Sequence, residues 1–231
     1  MTDATGKSAR AGSALGRWRS SVVGSVLART ASPLILVKRG PRTHGSKRVA
    51  LTFDGGPGDM TARYFDECDR LGVRATFFLV GENVAKRPES VLEYVRRGHE
   101  VAGLGYTRTP FPRLAAAVLV DELTRTSDLF PPSRTSRPFV RPPDGDVTAL
   151  SIARVAAAGY VTALWSLDSG DTTTHDPRLI EARVAADRMS DGEIVRFQEG
   201  QAWTLEALPR IVSQLQGAGF EACTLGELLG G

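Results

Sequence analysis

Cysteine and histidine are nearly missing from the chain. Its 231 residues hold Cys68 and Cys223, and three histidines, His44, His99 and His175. Two cysteines exclude a disulfide framework, and in a chain this long both read as small buried apolar residues. The histidines form no pair at helical or loop spacing, so a histidine-rich metal centre has no signature here. Long apolar runs are missing too. The stretch "GRWRSSVVGSVLARTAS" (16 to 32) is interrupted by Arg29 and falls well short of the roughly 20 residues of a spanning helix.

Negative charge is scarce at one end only. The formal charge is +3 and the pI near 9.1, yet Lys7, Arg10, Arg17, Arg19, Arg29, Lys38, Arg39, Arg42, Lys47 and Arg48 face a single acid, Asp3. The remainder is slightly acidic, which removes the case for nucleic acid binding by the domain itself. Basic residues before a short apolar stretch, with small residues after it, outline a signal or an interfacial anchor. A membrane surface is the partner such a segment implies, and a flexible basic arm is the plainer alternative. We assign residues 1–46 to this arm and 47–231 to one domain, and compartment and oligomeric state stay open.

What the chain does have is alternation. Short apolar runs recur at "RVALTF" (48 to 53), "RATFFLV" (74 to 80), "EVAG" (100 to 103), "FVRPP" (139 to 143), "YVTALW" (160 to 165), "EIVRF" (193 to 197) and "FEACT" (220 to 224), with amphipathic stretches between them. Several of those stretches end at a glycine, as expected just past a helix C-terminus. Strands that read as nearly continuous apolar runs and alternate with helices predict a parallel sheet covered by helices. We therefore expect an α/β fold, a small, closed or nearly closed (β/α) barrel of about seven parallel strands in one domain, with an open doubly wound sheet as the alternative. In both, the chemistry belongs at the strand C-termini. Asp54, Arg141, Asp168 and Gln198 each fall at such an end and are expected on one face.

The strings "TFDGGP" (52 to 57), "GHEVAGLGYTRT" (98 to 109), "RPPDG" (141 to 145), "WSLDSGD" (165 to 171) and "IVRFQEG" (194 to 200) run in the order and spacing of five motifs. They resemble those of the polysaccharide deacetylase family, the nodulation-protein homology domain, over about residues 47 to 230. The resemblance implies a distorted barrel that removes acetyl groups from N-acetylglucosamine polymers or related acetylated sugars with a divalent metal, usually zinc. It also implies a place at the cell envelope or outside the cell; without a signal, the cytoplasm.

In such enzymes the first motif reads TFDDGP. Its first Asp is the base; its second binds the metal with two histidines of the second motif. An arginine of the third motif orients the base, and an aspartate of the fourth supports a catalytic histidine of the fifth. The resemblance places Asp54 as the base, Arg141 as its partner and Asp168 as the supporting carboxylate. The metal positions hold Gly55, Leu104 and Arg108, the catalytic histidine is Gln198, and the acetate-pocket leucine is Arg196. The aromatic that usually follows the two prolines of the third motif is Asp144. Pro142, Asp144, Trp165 and Arg196 are the substrate-side candidates, and Trp165 and Trp203 are candidates to stack on sugar or to pack in the core.

A catalytic divalent metal needs about three N or O ligands. Glycine and leucine offer none, and a guanidinium repels a cation, so no cofactor is expected. The expected arrangement is Arg108 and Arg141 neutralising Asp54. Three readings follow: a deacetylase-like domain that has lost metal and activity but keeps carbohydrate or partner binding, an altered hydrolase of acetylated carbohydrate using Asp54 as base, and a degenerate copy.

Overall fold

Strand β2, Lys47–Asp54, shows how the sequence positions the site. Side chains of a strand alternate between faces. Val49, Leu51 and Phe53 turn outward and pack with Tyr64, Phe65, Leu208 and Ile211 of the surrounding helices. Ala50 turns inward with Val37, Phe78, Ala163 and Ile194. By the same parity Thr52 and Asp54 face inward, and Asp54 stands at the strand's C-terminal end.

The structure is a computed structural model that describes residues 35–42, 46–132, 135 and 137–230. Along the chain come β1 (Leu36–Val37), β2, α1 (Thr61–Leu71), β3 (Thr76–Leu79), α2 (Gly81–Lys86), α3 (Glu89–Arg96), β4 (Glu100–Gly103), α4 (Ala116–Ser127), β5 (Phe139–Val140), α5 (Ala149–Ala157), β6 (Val161–Ala163), β7 (Leu167–Asp168), α6 (Pro177–Arg183), β8 (Ile194–Gln198), α7 (Ala202–Gly217), β9 (Phe220–Cys223) and α8 (Leu225–Leu228). The strands order as β1-β6-β5-β4-β3-β2-β8-β7, with β9 paired to the start of β2. Every pairing among the described residues is parallel.

All seven apolar runs of the sequence form strands. Among the described residues the count rises to nine, because two-residue strands appear at β1 and β7, too short to show a period. Strand β1 lies at residues that the sequence reading gave to the basic arm, and both its side chains are buried. The expected signal or anchor at 16 to 32 lies outside the described residues. Among those described, no helix is long and apolar enough to cross a membrane.

The sheet curls into a distorted barrel. Gly40 N donates to Gly192 O at 2.7 Å and Ser166 N to Ile194 O at 3.0 Å, drawing the segments after β1 and β6 toward β8. Phe53 stacks between Phe77 and Phe197, centroids 5.0 and 5.3 Å apart, and each buried ring contributes about 1.5–3 kcal/mol. Helix α1 ends at Gly72, whose φ of 65° lets its N–H reach back to Asp69 O at 3.1 Å.

Candidate functional site

Parallel register assembles the site. β8 pairs with β2 so that Thr52 lies beside Arg196 and Asp54 beside Gln198. Arg196 and Gln198 are two apart and so share the inner face with Thr52 and Asp54. Arg141 follows β5 and is 0% exposed. Its Nη1 donates to Asp54 Oδ1 at 2.6 Å and to Thr52 Oγ1 at 2.9 Å, while Nε and Nη2 reach Ala163 O and Leu164 O. Arg196 Nε donates to the other Asp54 oxygen, Oδ2, at 3.0 Å, and its Nη1 to Asp168 Oδ2 at 3.1 Å. Both Asp54 oxygens are therefore held by guanidinium groups.

Burial pulls the Arg141 guanidinium below its usual range, against the upward pull of Asp54. Burial also lowers Arg196, but Asp54 and Asp168 together raise it above the ordinary value. The expectation that Arg108 would neutralise Asp54 is corrected here. Arg196 takes that place because strand parity turns it inward, whereas Arg108 sits on an exposed turn.

The positions that the resemblance gives to a metal hold nothing that fits one. Leu104 is 1% exposed and packs in the barrel core. Gly55 has φ 111°, and a Cβ there would stand 2.2 Å from Gln198 Nε2 and 3.7 Å from Arg108 Nη1. The space of a ligand side chain is thus taken by an amide. Among the described residues no three His, Cys, Asp or Glu side chains gather around a cation-sized space.

Gln198 also corrects the sequence reading. The carboxylate bonded to it is Asp171: Gln198 N donates to Asp171 Oδ2 at 2.7 Å, and Thr204 Oγ1 donates to the same oxygen at 2.7 Å. Asp168 instead serves Arg196 and lies exposed. The two acids are three residues apart in "WSLDSGD", and only the turn between them, where Gly170 N donates to Asp168 Oδ1, decides which enters the interior. Burial raises the Asp171 carboxyl.

Of the substrate-side candidates, Pro142 is buried and Asp144 is exposed with φ 56°, on the short turn Pro143–Gly145. Trp165 is half-buried; the guanidinium of Arg196 lies 4.6 Å from its ring centre and that of Arg141 5.5 Å. Trp203 donates to Asp171 O at 2.8 Å and stacks on His175 at 4.1 Å, so its ring is already in use. His99 is buried, its Nδ1 accepting from Ala75 N, and burial lowers it to about 4. Cys68 and Cys223 are buried free thiols, both raised by burial to about 12.

Sequence reasoning missed Glu199. It is 6% exposed, with Thr61 and Tyr94 donating to its carboxylate and Gly56 against it. Its position beside Gln198 was legible, but not the convergence of α1 and α3 upon it.

The sequence model of the family described as polysaccharide deacetylase matches residues 42–163. A chitooligosaccharide deacetylase of Bradyrhizobium sp. is 32% identical, over 85% of this chain and 97% of that one. A peptidoglycan-N-acetylglucosamine deacetylase of Listeria monocytogenes is 26% identical over 91% of this chain, which spans only 45% of the relative's length. Among solved structures, a mutant with restored enzymatic activity of a CE4 family pseudoenzyme from Bacillus anthracis is 26% identical, covering 86% of this chain and 72% of that chain, at a TM-score of 0.75. With more than half its residues matched by that model and a relative above 30% identity along most of its length, the chain belongs to the polysaccharide deacetylase family.

Proposed function

We propose that this is a polysaccharide-deacetylase-like domain that no longer deacetylates and that keeps the family's sugar-facing end as a carbohydrate- or partner-binding surface. The observation that carries this reading is the side chain of Gln198 standing in the space that a ligand at Gly55 would need. A bound metal lowers the pKa of its water from about 15.7 toward 7 and polarises the carbonyl, contributing several kcal/mol. General acid catalysis adds typically 10²–10⁴-fold. An amide at 198 does not titrate near neutral pH, and Asp54 spends both oxygens on Arg141 and Arg196. Each loss alone weakens the reaction; together they remove it.

Acetylated polysaccharide or oligosaccharide at the cell envelope is the partner this reading gives, in keeping with the relatives named for peptidoglycan and chito-oligosaccharide. A pseudoenzyme among the related folds, with activity restored by mutation, supports the idea that this scaffold persists without its reaction. The test is zinc content by atomic emission, with acetate release from acetylated chito-oligosaccharide, on the unmodified protein. We expect no stoichiometric zinc and no acetate above the uncatalysed rate. Turnover by the purified protein would favour an altered hydrolase using Asp54.

A further inference from the structure

The ion network at Asp54 is balanced within itself. Two guanidinium groups, Arg141 and Arg196, face two carboxylates, Asp54 and Asp168. Arg108 stands outside that balance, and its side chain makes no ion pair or hydrogen bond among the described residues. It is nonetheless held in place. Glu122 on α4, 4% exposed, accepts from Tyr106 N at 3.0 Å, Thr107 N at 3.2 Å and Thr107 Oγ1 at 2.6 Å, which fixes the turn. Arg108 itself sits at φ 62°, a region that L residues other than Asn and Asp seldom occupy.

From that turn its Nη1 reaches to 3.7 Å from the point where a side chain at residue 55 would begin, and Gln198 Nε2 lies 2.2 Å from the same point. Gln198 is 8% exposed as a residue, and its amide has no hydrogen-bond partner among the described residues. Of the other carboxylates nearby, Asp171 is occupied by Gln198 N and Thr204, and Glu199 by Thr61 and Tyr94. Two N–H donors, one of them an uncompensated cation, therefore converge beside Asp54, where the family's resemblance places a ligand to a cation. The polarity of the position is reversed.

We infer that these two donors, Arg108 and the Gln198 amide, bind a carboxylate carried by an acidic sugar. A planar carboxylate matches the fork of a guanidinium, and a single surplus positive charge suits a monoanion better than a phosphate dianion. The sugar half of the inference rests on the carbohydrate-binding reading above, whereas the anion half rests on the donors alone.

The experiment is calorimetric titration of the full chain with trigalacturonate, with its fully methyl-esterified form, and with sodium acetate, alongside a separate zinc titration. Trigalacturonate is expected to bind at least about tenfold more tightly than its neutral ester, the scale of a charge-assisted hydrogen bond, and to weaken as salt rises. Arg108→Gln and Gln198→Leu should each reduce that preference about tenfold while leaving the thermal midpoint in place. Equal binding of acid and ester, or an Arg108→Gln variant that keeps the full preference, overturns the inference. Acetate binding as tightly as the trisaccharide overturns its sugar half. Tight zinc binding would overturn the loss of the metal site instead, so the two failures are read apart.

Discussion

At the scale of residues, Asp54 stands between two guanidinium groups. A base awaiting substrate needs a free oxygen; this carboxylate gives one to a fully buried arginine and the other to Arg196. Removing one member of a buried pair strands the other charge and costs about 3–5 kcal/mol, whereas exposed pairs are worth about 1 kcal/mol or less. Asp54→Ala is therefore expected to destabilise the protein by about 3 kcal/mol in urea unfolding, and Asp168→Ala, with a side chain 39% exposed, by less than about 1 kcal/mol. Similar costs for the two would contradict a structural Asp54. Gly55 and Gln198 should be coupled as well. Gly55→Asp meets both the positive φ and the Gln198 amide, so a double-mutant cycle with Gln198→Ala should return an interaction of about 1 kcal/mol or more. Additive costs would mean that the amide does not occupy the ligand space. The pairing of Asp54 with Arg141 was legible from the five motifs. Arg196 and Asp171 were not assigned their partners, because motif spacing does not say which way a side chain turns.

At the scale of elements, strand parity and one buried carboxyl set the site. Inward residues two apart on β2 and β8 explain why Arg196 reaches Asp54, and register with β2 could not be counted from the sequence. The loop after β8 is fixed by Glu199, which accepts from Thr61 on α1 and Tyr94 on α3. Burial raises its carboxyl from 4.5 to about 7, with the hydrogen bonds from Thr61 and Tyr94 pulling the other way. Between those values the folded chain holds a proton that the unfolded chain releases. The extra stability is complete below about pH 4.5 and is lost as pH rises through 7. The unfolding free energy should fall by up to about 3 kcal/mol across that window, and Glu199→Gln should flatten the dependence. A wild-type profile without that fall would show that Glu199 is ionised in the folded state throughout.

At the scale of the whole molecule, seven strands and the helices between them were legible from alternating apolar runs, and two short strands were not, since two residues carry no period. The curled parallel sheet gathers the strand ends that the family uses, so the central claim is that the scaffold persists while four positions silence it. Gly55→Asp, Leu104→His, Arg108→His and Gln198→His should be made together, since Gly55→Asp alone meets the Gln198 amide. Bound zinc and acetate release from acetylated chito-oligosaccharide are then measured beside the unmodified protein. The account predicts stoichiometric zinc and acetate release from the fourfold variant and neither from the unmodified chain. Zinc and acetate release from the unmodified chain, or a folded variant that takes up no zinc, would contradict it.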